Sequence, residues 1–118
     1  MPILYEAKAE LFRTLAHPVR IRVLELLAER DHAVYELLTQ VDAEQSNLSQ
    51  QLAVLRRAGL VRQTRTGGEV LYSLLVPAVR DLLVAGRAVL RDRIQEEAGL
   101  GEELTQAAPD QPGQATTR

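Results

Sequence analysis

The chain contains no cysteine. Disulfides, thiolate metal centres, cysteine redox switches and cysteine nucleophiles are therefore excluded at once. Histidine occurs only as His17 and His32, so imidazole chemistry starts from a very short list. No glycine-rich phosphate loop, nucleophile paired with a base, or His/Asp/Glu constellation at ligand spacing is visible, and an enzyme is not expected. Apolar runs are only a few residues long, well short of the roughly 20 that a membrane-spanning helix needs. Met1-Pro2-Ile3-Leu4-Tyr5-Glu6 lacks a basic stretch followed by an apolar one, so no signal peptide is expected and the chain is assigned to the cytoplasm.

At 118 residues the chain is expected to form one domain. Its net charge of −2 hides an uneven distribution. Glu96, Glu97, Glu102, Glu103 and Asp110 stand against Arg118 alone at the C-terminal end, so residues 1–95 carry a small excess of basic groups. Ser46 to Thr66 includes Arg56, Arg57, Arg62 and Arg65 and no acid. Distribution matters more than sum when a polyanion is the candidate partner.

Hydrophobic periodicity divides the chain into elements. Tyr5 to Ala16 reads as a helix, with Leu4, Ala7, Leu11 and Leu15 on one face and Phe12 beside them. His17-Pro18 ends it, because proline disfavours helical dihedrals in the residue before it yet suits the first position of a new helix. The second helix is expected from Pro18 to about Arg30. Val19, Ile21, Val23, Leu24, Leu26, Leu27 and Ala28 cover much of its circumference, as in a helix central to a small core, and Arg20, Arg22, Glu25 and Glu29 face solvent. Asp31-His32 reads as an exposed turn, Ala33 to Val41 as a third helix, and Glu44 to Arg57 as a fourth with Leu48, Leu52 and Leu55 inward. Gly59 suits a left-handed cap. The period then falls to two. Leu60 to Arg65 and Glu69 to Leu75 read as strands joined by Thr66-Gly67-Gly68. A last helix is expected from Pro77 to about Ala98, with an apolar stripe of Val79, Leu82, Leu83, Gly86, Val89, Leu90 and Ile94. Residues 99–118 read as a flexible acidic tail, leaving 1–98 as the folded domain.

The expected fold is thus mainly α with a small β-hairpin, in the order α-α-α-α-β-β-α. The third and fourth helices form a helix-turn-helix candidate, and the hairpin after them is its wing. A helix that enters the major groove must offer side chains that bond base edges without repelling phosphate. Ser46, Asn47, Ser49, Gln50 and Gln51 on the fourth helix are neutral and both donate and accept, and Asn and Gln pair bidentately with adenine. Arg56 and Arg57 at its end, and Arg62, Arg65 and Gly67 on the wing, are candidates for phosphate or minor-groove contact. Double-stranded DNA is the partner this order of elements favours. The competing reading is a protein-interaction module that docks through the last helix, with the acidic tail engaging a basic partner.

Three stretches carry a family resemblance. Leu15-Ala16-His17-Pro18-Val19-Arg20-Ile21-Arg22-Val23-Leu24 resembles the opening of the ArsR-type winged-helix regulators. Gln45-Ser46-Asn47-Leu48-Ser49-Gln50-Gln51-Leu52-Ala53-Val54-Leu55-Arg56-Arg57-Ala58-Gly59-Leu60-Val61 resembles their recognition helix and its exit. Gly67 through Tyr72-Ser73-Leu74 resembles their wing. The resemblance covers roughly residues 5–95. It implies a transcription regulator, with repression the family expectation. It also implies a homodimer joined by its first and last helices on a near-palindromic operator. Leu4, Leu11, Leu82, Leu83, Val89, Leu90 and Ile94 would lie at that interface. The thiolate pair of the family's metal sensors would fall near His32 to Leu37, where this chain reads His-Ala-Val-Tyr-Glu-Leu. The stretch Val76 to Ile94 offers Asp81 and Asp92 but no histidine. No metal or other cofactor is expected, and no polar cluster identifies an effector.

Overall fold

The computed structural model describes residues 3–105, and the side chains of residues 3–99. Helix α1 spans Leu4–Leu15 and α2 Pro18–Glu29; strand β1 is His32–Ala33. Helices α3 (Val34–Gln40) and α4 (Gln45–Arg57) follow, then strands β2 (Val61–Thr66) and β3 (Glu69–Leu74), and finally α5 (Ala78–Thr105). Two compact units divide between Asp81 and Leu82, inside α5.

The break between α1 and α2 has a local cause. His17 is extended, its Nδ1 accepts from the Val19 N–H at 3.2 Å, and Pro18 supplies the first helical residue. At the other end of α2, Arg80 Nε and Nη2 donate to the Ala28 carbonyl at 3.0 and 2.6 Å, satisfying an acceptor that the helix leaves unpaired. Helix α2 supplies much of the core: Val19, Val23, Leu24, Leu26 and Leu27 are buried. Leu37 of α3 and Leu48, Leu52 and Leu55 of α4 join that core. The inward spacing expected for α4 is therefore observed, and that of α2 for the most part: Ile21 and Ala28 are only half-buried. Arg20, expected in solvent, is half-buried and hydrogen-bonded.

Helix α4 ends as its glycine predicts. Gly59 has φ +78°, its N–H donates to Arg56 O at 3.0 Å, and the Leu60 N–H donates to Leu55 O at 3.0 Å. These are the two bonds of a Schellman cap. The wing turn also follows from its glycines. Thr66 pairs with Glu69, leaving Gly67 and Gly68 as a two-residue loop with φ +57° and +81°. Positive φ at both central residues defines the type I′ hairpin turn, in which any side chain would be strained.

Two expectations need correction. The sheet has three antiparallel strands in the order β1-β3-β2, so His32 does not lie in an exposed turn. It pairs with Tyr72, is 1% exposed, and its Nδ1 lies 2.8 Å from the Arg30 carbonyl oxygen. A two-residue strand is too short to show periodicity, and only its non-local pairing defines it. The last helix does not stop near Ala98 but continues to Thr105, through part of the expected tail. Glutamate, alanine and leucine around Gly99 and Gly101 carry enough helix propensity to bridge both glycines. Gln106 to Arg118, the rest of that tail, lies outside the described residues.

Helices α1 and α5 each leave large apolar side chains in solvent. On α1, Leu4, Tyr5 and Phe12 are 70%, 71% and 52% exposed, while Leu11 is half-buried. On α5, Val84, Val89, Leu90 and Ile94 are exposed, and Leu82 and Leu83 are half-buried.

Candidate nucleic-acid interface

The outward face of α4 follows from the three leucines that fix its inward one. Ser46, Ser49 and Gln50 project into solvent. No hydrogen bond from their side chains is found among the described residues, so their donors and acceptors are free for a ligand. Arg56 and Arg57 are exposed in the last turn, where the helix dipole favours cations.

Gln51 does not belong with these residues. It is 8% exposed; its Oε1 accepts from Arg20 Nε at 2.8 Å and its Nε2 donates to Asn47 Oδ1 at 2.9 Å. Both ends of the amide are occupied, so the expectation that Gln51 pairs with adenine is corrected. Asn47 is half-buried and its Oδ1 already accepts one hydrogen bond, which leaves its NH₂ as the wholly free end of the amide. Five polar residues on a 13-residue helix cannot all share one outward stripe, and position 51 falls beside the core residues Leu48, Leu52 and Leu55.

The wing is tied to the end of α4. Arg56 Nη1 donates to Gln63 Oε1, and Gln63 Nε2 donates to Tyr72 Oη at 3.0 Å. Arg62 and Arg65 are both exposed, but strand alternation puts them on opposite faces of the hairpin. They flank the wing rather than form one row along it.

Between the wing turn and the starts of α3 and α4 lies an open groove of about 640 Å³, lined by Tyr35, Gln45, Ser49, Gly67, Gly68 and Glu69 among others. Gly67, singled out from the hairpin, is therefore at a concave surface as well as at the turn. Sequence reasoning missed Tyr35, Gln45 and Glu69. Gln45 opens the α4 motif and was legible there, but the approach of Tyr35 to Glu69 depends on the fold.

That approach alters the electrostatics. The Tyr35 hydroxyl donates to Glu69 Oε2 at 2.8 Å. This bond, and the charge of Glu69, hold the Tyr35 pKa above its ordinary value. The acid-free window from Ser46 to Thr66 thus acquires a carboxylate in space, because Glu69 stands opposite Thr66 across the turn. Nearby, Glu36 Oε1 accepts from the Ala33 N–H at 2.9 Å and caps α3. Ala33 has no side-chain oxygen to reciprocate, so only half of a capping box forms. The Ala33 N–H, then the Arg30 guanidinium, hold the Glu36 carboxyl below the usual glutamate range.

A short helix, a tight turn, an exposed neutral helix face and a two-stranded basic hairpin define a winged helix-turn-helix protein. Residues 17–63 match the family described as bacterial regulatory protein, arsR family. The chain is 52% identical over 102 residues to Rv0081 of Mycobacterium tuberculosis, an uncharacterized HTH-type transcriptional regulator, covering 86% of this chain and 90% of that one. The crystal structure of Rv0081 superposes with a TM-score of 0.74, covering 83% of this chain and 99% of that one. The biofilm growth-associated repressor of Agrobacterium fabrum is 40% identical over 69% of each chain. The solution structure of the homodimeric winged helix-turn-helix domain of Mb0332 from Mycobacterium bovis, 26% identical, matches with a TM-score of 0.67 over 78% of this chain and 85% of that one. The chain belongs to the arsR family of bacterial regulatory proteins and is a DNA-binding transcription regulator.

Proposed function

We propose that the protein is a homodimeric repressor that binds a near-palindromic operator. Two α4 helices would enter successive major grooves about 34 Å apart. Ser46, Ser49 and Gln50 would meet base edges, and Asn47 would reach them through its free amide group. Arg56, Arg57, Arg62 and Arg65 would neutralise phosphates. The backbone would run through the groove that Ser49, Gly67 and Gly68 help to line. The observation that carries this reading is the exposed neutral face of α4, bounded by four exposed arginines.

Two findings support the assembly. The related domain of Mb0332 is homodimeric. In this chain, Leu4 on α1 and Val89, Leu90 and Ile94 on α5 are more than half exposed, which is costly for a single copy in water. A two-fold interface would cover them together with Leu11, Leu82 and Leu83. The repressor named in Agrobacterium fabrum supports the direction of control. The cytoplasm is the compartment in which such a regulator meets its operator; no helix among the described residues is long and apolar enough to cross a membrane.

The test is fluorescence anisotropy with a labelled fragment from upstream of the protein's own gene, at two salt concentrations and with random DNA as competitor. Specific binding should persist when random DNA is in large excess, since non-specific affinities lie near roughly 10⁻⁴–10⁻⁶ M at physiological salt. Reversal of charge at Arg62 and Arg65 together should flatten the salt dependence. Signal erased equally by any DNA would overturn the proposal for that operator.

A further inference from the structure

Arg20 lies on α2, outside the DNA-facing surface, yet it is bonded into α4. Its Nη1 donates to the Thr14 carbonyl at 2.9 Å at the end of α1, and its Nε donates to Gln51 Oε1 at 2.8 Å. Gln51 Nε2 then donates to Asn47 Oδ1 at 2.9 Å. The chain runs Thr14, Arg20, Gln51, Asn47, from the end of one helix to the rim of another.

The direction of this chain is dictated by chemistry. Guanidinium has five donors and no acceptor. Gln51 must therefore turn its oxygen toward Arg20, which leaves its NH₂ facing Asn47. Asn47 must in turn offer its oxygen, since two NH₂ groups facing each other would leave the buried Gln51 NH₂ without an acceptor. The Asn47 NH₂ is what remains free. An amide that is ambiguous in isolation is forced into one orientation by a charged residue two bonds away.

We propose that Arg20 is a positioning residue for specificity: through Gln51 it fixes Asn47 as a hydrogen-bond donor on the recognition helix. This rests on the proposed entry of α4 into the major groove. A donor-only Asn47 favours edges rich in acceptors, guanine N7 and O6 or thymine O4, and disfavours cytosine, which presents only its N4 donor there. It does not read adenine through the paired donor and acceptor that an unconstrained asparagine would use.

The experiment is selection of bound duplexes from a random pool, run in parallel with the wild type, Gln51→Glu, Arg20→Met and Asn47→Ala. The wild type should enrich guanine or thymine over cytosine at one position of each half-site, by about tenfold or more. Asn47→Ala identifies that position by losing its preference. Gln51→Glu still accepts from Arg20 but presents a second acceptor to Asn47. The Asn47 amide should flip, its oxygen should face the groove, and the same position should turn to cytosine or adenine. Arg20→Met should flatten this position while preferences elsewhere in the site persist.

An unchanged base at the Asn47 position in folded Gln51→Glu would overturn the proposal, as would uniform loss at every position in Arg20→Met. No enriched motif from the wild type would instead overturn the proposed entry of α4 into the major groove on which it rests. A measurement without DNA keeps the inference falsifiable if the variants fold poorly. In amide exchange followed by nuclear magnetic resonance, the Gln51 side-chain NH₂ of the wild type should exchange several-fold more slowly than that of Asn47. The reverse order would overturn the proposed polarity.

Discussion

Helices α2 and α5 are both amphipathic, and they meet opposite fates. On α2, Val23 and Leu24 are 0% exposed and the apolar face is covered by the chain's own α4 and sheet. On α5, Val89, Leu90 and Ile94 are 57%, 56% and 64% exposed. Periodicity announces that a face requires cover, but it does not say whether the cover comes from the same chain. The first face makes the domain; in the proposed homodimer the second would be covered by another copy.

Substitutions in the two helices should therefore have different consequences. Leu24→Ala should have the largest effect, about 2–5 kcal/mol of unfolding free energy measured by chemical denaturation, because it opens a cavity in a sealed core. Leu90→Asp should leave the fold of a single copy intact and abolish its self-association, as read by sedimentation at micromolar concentration. If it instead lowered stability as much as Leu24→Ala at concentrations too low for association, the contrast between the helices would collapse.

Arg80→Met sharpens the contrast from the seam where α5 begins. Removing both guanidinium donors from the Ala28 carbonyl should cost about 1 kcal/mol, visible as a modest fall in the denaturation midpoint. The smallest effect belongs to Glu36, whose carboxylate caps α3 without contributing to either apolar face. Its pKa is lower in the folded chain than in the unfolded one. The stability it adds is thus present above the unfolded value near 4.5 and is lost as pH falls through the folded one. Glu36→Gln should reduce the acid sensitivity of unfolding in that window and leave the curve at neutral pH nearly parallel to the wild type.

Much of the candidate interface was legible in one dimension. Ser46, Ser49, Gln50 and the four arginines lie on the surface as their periodicity required, and Gly59, Gly67 and Gly68 occupy the positive-φ positions expected of them. The failures share a cause. His32, Gln51, Arg20 and Glu69 are polar residues whose settings depend on chain segments distant in sequence: Tyr72, Arg20, Gln51 and Tyr35 respectively. A polar side chain in isolation reads as surface, because burial of an unpaired one is costly; once it is paired, that cost is offset.

Local sequence determines the helices, the wing strands, the α1–α2 break, the Gly59 cap, the wing turn and the inward face of α4. These depend on local dihedral preference and on period, which a linear chain already contains. Pairings between distant segments are what bring β1 into being, set a carboxylate at the wing turn and let Arg20 reach α4 through Gln51. Each of these is a pairing between distant segments, and its free energy depends on geometry that exists only after the core has closed.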